Sequence, residues 1–235
     1  MASSTNSVDS GSRVSSLIRR CGVDDAGMLH RLSVETYVDT FDGTSSDADM
    51  RKFLEESYAE PILRDELANP DSMFFVMVVP SCAQVGTKAR VGPGTRNTDD
   101  SVVLTDFVDA CKGDDSEVSG SGKADDGGAR TGIPAGYMKL NFGLAQIEDM
   151  GPGAMEIQRL YIQKAFKGHG FGTRLMNLAL KTARERDLHK VWLGVWEHNE
   201  PAKRFYSGKG FVRVGQHAFW QGDDKQTDYL MAREV

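Results

Sequence analysis

The chain has 235 residues, 40% apolar and 26% charged, and carries a formal net charge of −6 at neutral pH. That length suits one domain of ordinary size plus accessories, with room for a proper hydrophobic core. The acidic balance argues against a nucleic-acid partner, and no apolar run approaches the roughly 20 residues of a membrane span.

Residues 1–14 (MASSTNSVDSGSRV) are Ser-rich and lack the apolar segment of a secretory signal, which predicts a disordered tail. Cys21, Cys82 and Cys111 are odd in number and have no metal or redox spacing. That usage fits a reducing, cytoplasmic compartment, and no metal site is expected. Ser16 to Arg20 is a short candidate strand. Val23 to Thr40 reads as a helix that Asp24 or Asp25 can cap, with Met28, Leu29, Leu32, Val34 and Tyr37 partly at helical spacing. A second helical region follows, with Asp47 as a candidate cap and Met50, Phe53, Leu54 and Tyr58 on one face; Pro61 interrupts it, and Ile62 to Ala68 forms a further turn or two. Met73 to Val79 is a continuous apolar run, the pattern of a strand buried on both faces.

From Ser81 to Gly132 the composition shifts to Gly, Ser and Asp. This segment holds nine of the 25 glycines and, with nine acidic and six basic residues, half of the net charge. Such a segment cannot bury enough apolar surface to offset its ordering entropy, which predicts a disordered insertion. Val102 to Val108 is its one apolar exception, a candidate short strand or docking element. Gly136 to Phe142 then resumes as an alternating strand with Met138, Leu140 and Phe142 on one face, so the insertion interrupts a hairpin, where the cost of loop closure grows slowly with length. The rest, from residue 15 to residue 235, reads as one domain.

Met155 to Arg186 organises the chain. Met155 and Ile157 share one strand parity, Leu160 and Ile162 the other, which requires one extra residue: a β-bulge near Gln158 and Arg159. A bulge bends its strand from a neighbour and frees backbone groups to meet a ligand. Lys167-Gly-His-Gly-Phe-Gly172 follows and opens a helix running from Thr173 to about Arg186, with Phe171, Leu175, Leu178, Ala179 and Thr182 inward. A glycine-rich turn at a helix N-terminus suits a pyrophosphate. The turn lacks the Gly-Lys-Ser/Thr of a nucleotide-triphosphate loop and the longer last interval of the dinucleotide fingerprint. Val191 to Trp196 is a further buried strand. Asn199 caps a short helix carrying Phe205 and Tyr206, and Phe211 to Phe219 with Thr227 to Ala232 form a closing hairpin. Strands alternating with helices predict an α+β chain, a mixed α/β sheet.

These residues resemble the GNAT superfamily of N-acetyltransferases, whose central motif is Arg/Gln-x-x-Gly-x-Gly/Ala. Lys167, Gly170 and Gly172 stand at its defined positions, Lys167 keeping a charge but not the planar fork. The downstream WLGVWEHNEPAKRFYSGKGF is similar to the segment where Asn and Tyr follow the fifth strand. ETYVDTF and the ending GQHAFWQGDDKQTDYLMA resemble a narrower branch, the bacterial Pai-type acetyltransferases of spermidine and spermine. The resemblance implies a mostly antiparallel mixed sheet of about seven strands flanked by about four helices, its fourth and fifth strands splayed by the bulge. It implies acetyl-coenzyme A as cosubstrate. Lys167, Gly168, His169, Gly170, Phe171, Gly172 and Thr173 would hold the pyrophosphate, and the backbone of Leu160, Tyr161 and Ile162 the pantetheine arm, with Asn199 a further contact.

An amine with a pKa near ~10 must lose a proton before it attacks a thioester. Glu156 stands where some GNAT histone acetyltransferases keep a general base; the alternatives are a solvated strand residue and a water chain. Pai-type relatives tend to carry Glu at the place of Gln158, which cannot act as a base. Tyr206 matches the tyrosine that donates a proton to the departing thiolate. His217 belongs to the branch-specific ending and is either a substrate-end residue or a packed one. Glu35 and Asp39 are helical neighbours that could pair ammonium groups or form a solvated face. The expected function is direct acetyl transfer to a small amine such as a polyamine, by a monomer or homodimer. The other readings are a protein N-terminal or lysine acetyltransferase and a coenzyme A-binding regulatory protein without activity.

Overall fold

The computed structural model describes residues 16–80 and 132–235. The expected tail at 1–14, residues 81–131 of the expected insertion, the Val102 to Val108 element, Cys82 and Cys111 lie outside the described residues. The strands are β1 (Leu17–Arg20), β2 (Ser72–Pro80), β3 (Gly132–Asn141), β4 (Ala154–Ile162), β5 (Lys190–Trp196), β6 (Val212–Gln221) and β7 (Asp224–Glu234). They form one seven-stranded sheet in the order β1-β2-β3-β4-β5-β7-β6. β4 and β5 run parallel, while β1–β2, β3–β4, β5–β7 and β6–β7 pair antiparallel. The expected helices are α1 (Ala26–Phe41), the pair α2 (Asp47–Tyr58) and α3 (Glu60–Ala68), α4 (Phe171–Glu185) and α5 (Glu200–Gly208).

Local chemistry explains most boundaries. Val23–Asp25 is a 3₁₀ turn rather than the start of the expected helix. Asp25 stands before α1 but gives it no side-chain cap: its carboxylate accepts from the two terminal nitrogens of the Arg19 guanidinium, at 2.7 and 2.9 Å, and from the Gly22 N–H at 2.9 Å. Ser46, not Asp47, caps α2 by accepting from the Asp49 N–H. Pro61 sits in the first turn of α3, where its missing N–H costs nothing, so it starts a helix instead of breaking one. β3 was expected to bury one face only, through Met138, Leu140 and Phe142. Tyr137, Lys139 and Asn141 on its other face are buried as well, because α1 and α3 cover that side. There Leu29, Leu32 and Leu63 pack on Phe74, Val76, Val78 and Tyr137. α4 packs on β4 and β5. Its inward stripe includes Met176, Leu180 and Ala183 besides the expected residues, and Leu178 is only half-buried. Each fully buried Leu or Met contributes about 1.5–3 kcal/mol.

Burying Lys139 requires a partner. Lys139 and Arg159 are register partners across β3 and β4, and both cations turn to Glu66 of α3. Lys139 Nζ donates to Glu66 Oε1 at 2.6 Å, and Arg159 donates to both carboxylate oxygens at 2.6 and 3.0 Å. The Arg159 guanidinium also lies 4.8 Å from the centre of the Tyr58 ring. Burial, with Arg159 alongside, pulls the Lys139 ammonium down to about 8. One carboxylate thus fixes α3 to both strands beside the bulge. Removing one partner of a buried pair costs about 3–5 kcal/mol. Glu66→Gln is therefore expected to lower the unfolding free energy by about that amount in urea denaturation. Glu185→Gln, which loses only the exposed Lys181 pair, should change it by less than about 1 kcal/mol.

Candidate active site

The antiparallel register of β3 and β4 shifts between Lys139 and Leu140: Lys139 faces Arg159, but Leu140 faces Ile157. Gln158 is the extra residue, as the parity switch predicted. On the other side of β4 the parallel ladder to β5 joins Ala154, Met155 and Glu156 to Lys190, Val191 and Trp192, and goes no further. β5 meanwhile stays paired with β7 through Trp196. Beyond Glu156 and Trp192 the two strands diverge, and the facing edges have no strand partner.

A cavity of about 1110 Å³ fills this wedge. Glu156, Leu160, Tyr161, Ile162, Lys167, Gly168, Gly170, Phe171, Gly172, Thr173, Asn199 and Tyr206 all line it. His169 does not; its side chain is exposed, so of that residue only the backbone is placed in the turn. Gly168 and Gly170 have φ of 85° and 77°, a region that L side chains enter at a cost of about 1–2 kcal/mol. Gly172 is in the first helical turn, and a Cβ there would meet only Phe205 at ordinary contact distance. The turn thus needs its first two glycines for shape. It delivers the α4 N-terminus, whose first N–H groups have no intrahelical acceptor, to the cavity wall. Asn199 caps α5 by accepting from the Ala202 N–H at 3.1 Å.

Glu156 is fully buried, not a solvated strand residue. Its Oε2 accepts from Asn141 Nδ2 at 3.0 Å and from the Ile147 N–H at 3.2 Å. Asn141 is itself oriented by Ser72 Oγ, at 2.9 Å. Glu156 Oε1 has no hydrogen-bond partner among the described residues. Burial raises the Glu156 carboxyl above the usual carboxylate range, opposed by those two hydrogen bonds. Tyr206 stands beside Phe205 and Phe211, and burial pushes its phenol up to about 12. It therefore holds its proton at neutral pH.

Several lining residues were not identified from the sequence as site residues. Tyr37, Phe41, Phe53, Trp196 and Phe219 give the cavity an aromatic wall. Asp228 of β7 is the least expected. Its register partners are Trp196 and His217, and burial raises its carboxyl to about 6. The available signal was a carboxylate just before the apolar run Tyr229 to Ala232 of a strand, where Asp is depleted. His217 Nδ1 lies 2.8 Å from Glu148 Oε1. Of the two helical carboxylates, Asp39 lines the cavity, whereas Glu35 accepts from Gln163 Nε2 outside it.

No helix among the described residues is long and apolar enough to cross a membrane. Residues 104–211 match the model of the acetyltransferase (GNAT) family. An uncharacterised N-acetyltransferase from the pepI 3′ region of Lactobacillus delbrueckii subsp. lactis is 34% identical over 204 residues, 87% of this chain and 88% of the relative. An uncharacterised N-acetyltransferase of Mycobacterium tuberculosis is 37% identical over 81 residues, which is 34% of this chain and 52% of that protein. Among solved structures, the PaiA N-acetyltransferase of Thermoplasma acidophilum in complex with coenzyme A aligns with a TM-score of 0.59 at 17% identity, over 94% of this chain and 99% of that one. Arabidopsis thaliana NAA60 in complex with a bisubstrate analogue aligns with a TM-score of 0.56 at 16% identity, over 94% and 99%. At such identities the structural likeness is one of fold. The near full-length relative and the match across bulged strand, turn and fifth strand converge: the chain belongs to the GNAT family of acetyltransferases, enzymes of N-acetyl transfer.

Proposed function

We propose that the chain transfers an acetyl group from acetyl-coenzyme A directly to a small primary amine, a polyamine such as spermidine or spermine. The observation that carries this reading is the divergence of β4 and β5 after Glu156 and Trp192, with the glycine turn on the same cavity. The unpaired edge of Leu160 to Ile162 suits the amide groups of the pantetheine arm, and the α4 N-terminus suits a pyrophosphate. The fold is also that of a structure solved with coenzyme A. When bound, the cosubstrate supplies a thioester carbonyl carbon open to attack and a thiolate that can leave.

The residues of the chain manage the protons. Glu156 Oε1, buried and unpartnered, takes a proton from the acceptor ammonium, and the freed nitrogen lone pair forms the new C–N bond. As the C–S bond breaks, the Tyr206 hydroxyl donates to the departing sulfur, and the nitrogen gives up its second proton to the phenolate so formed, leaving the amide and the free thiol; the proton on Glu156 returns to solvent. Asn141 and the Ile147 N–H hold Glu156 by its other oxygen, so the basic oxygen stays directed at the cavity. A polyamine is favoured over a peptide by the carboxylates Asp39, Glu148, Glu156 and Asp228 on the lining, against which an aliphatic dication or trication can be paired. The raised Glu156 carboxyl sets the pH sense: activity through this base falls as pH drops through its folded-state pKa, because the protonated acid cannot accept.

Thiol release from acetyl-coenzyme A, with spermidine, spermine, small monoamines and a Lys-containing peptide as separate acceptors, tests the reading. Saturable release with the polyamines is expected; release with the peptide alone would overturn the substrate class. Glu156→Gln and Tyr206→Phe should each lower kcat by about 10²-fold or more, with KM for acetyl-coenzyme A within about twofold. Gly170→Ala should instead raise KM for acetyl-coenzyme A by about tenfold, the cost of strain at a left-handed position. Gly172→Ala should change it less.

A further inference from the structure

Three residues on the cavity lining each hold a buried oxygen without a hydrogen-bond partner among the described residues: Glu156 Oε1, Gln158 Oε1 and Asp228 Oδ1. Two are carboxylate oxygens, and none donates. Unsatisfied buried acceptors are costly, and a fold retains them where a ligand supplies the donors. A primary ammonium has three N–H donors and no acceptor. The three oxygens arise from the two sides of the wedge. Glu156 and Gln158 come from the bulged strand, whereas Asp228 comes from β7, beyond β5.

Gly194 of β5 is what lets Asp228 reach the cavity. A Cβ at Gly194 would stand 3.3 Å from Asp228 Oδ2 and 3.7 Å from His217 Nε2, so a larger side chain there would screen both. The loop before β4 joins the two sides, because consecutive residues serve them. The Ile147 N–H donates to Glu156, and the Glu148 carboxylate meets His217. That loop is anchored by Trp192 Nε1 donating to Gln146 Oε1 at 2.7 Å. His217 lies within electrostatic reach of both Glu156 and Asp228.

Building on the proposed amine acetylation, we infer that Asp228 is the docking residue for the acceptor. Its carboxylate pairs with a primary ammonium of the substrate, on the opposite side of the wedge from Glu156. The groups facing Asp228 are His217 from β6, with Glu148 behind it, Glu197 just past β5, the Tyr37 phenol from α1, and Glu156 across the wedge. Asp228 pairs with an ammonium only as the carboxylate. Burial places its titration at about 6, so acceptor affinity is present above that pH and lost as pH falls through it.

The test is calorimetric titration of spermidine into protein saturated with coenzyme A, run beside thiol-release rates. Asp228→Asn is expected to weaken spermidine binding at least about tenfold at pH 8 and to raise the KM for spermidine alike. KM for acetyl-coenzyme A should stay within about twofold, a split that a merely structural role would not give. In the wild type, spermidine affinity should fall about tenfold per pH unit below about 6, and Asp228→Asn should remove that limb. Wild-type spermidine affinity that is flat from pH 5 to 8 overturns the inference even if Asp228→Asn does not fold. So does Asp228→Asn binding spermidine as the wild type does, while acetylation of spermidine by the wild type leaves the proposed function standing. Asp228-dependent binding of spermidine without turnover of any amine would sustain the docking role and overturn the proposed activity. If the protein neither binds nor acetylates spermidine, both fall.

Discussion

The architecture of this acetyltransferase depends on one supernumerary residue. Gln158 puts β4 out of step with β3, and the parallel ladder to β5 ends after Glu156. A continuous sheet would have joined the remaining edge groups of β4 and β5 and left no cavity. The bulge would be free to relax were its flank not held. Arg159, the next residue, is tied with Lys139 to Glu66 of α3. Two buried cations on one carboxylate form a poor general device for stability. Here they fix the strand direction at the point where the sheet must open, and the wedge becomes a permanent feature of the fold.

The wedge sorts the chemistry by element. The turn and helix after β4 present N–H donors, which suit an anion. Glu156, Gln158 and Asp228 present buried acceptors, which suit a cation. Tyr206, a neutral phenol whose proton burial holds more tightly, lines the same cavity. The carboxyls of Glu156 and Asp228 are both raised by desolvation, so the ligand-free protein keeps groups that would be more stable in water. Such stored cost at a cavity wall is the usual counterpart of a binding function.

The sequence made the central segment legible because its signals are local. A parity switch between Ile157 and Leu160 can only mean an extra residue, and glycines at 168 and 170 before an amphipathic run mark a tight entry to a helix. The capping Asn199 was equally visible. What it left hidden was set by distant contacts. Lys139 sits in a strand that looked half-exposed because its partner Glu66 is 73 residues away. Asp228 gave only the weak local sign of an Asp within a strand; what it faces depends on Gly194 being bare on the neighbouring strand. The aromatic wall was read as helix and strand core, since core packing and cavity lining share the same residue types. His169 entered the reading through its backbone in the turn, and its side chain is exposed away from the cavity.

The central claim is that the unpaired edge of β4 and the glycine turn are where the acyl donor is held. Amide hydrogen exchange, with and without saturating coenzyme A, tests it most directly. The account predicts slowed exchange in peptides covering Leu160 to Ile162 and Gly168 to Thr173, with β1 and β2 unchanged. Binding of coenzyme A that leaves those two segments unprotected, or protects residues away from the wedge instead, would contradict it.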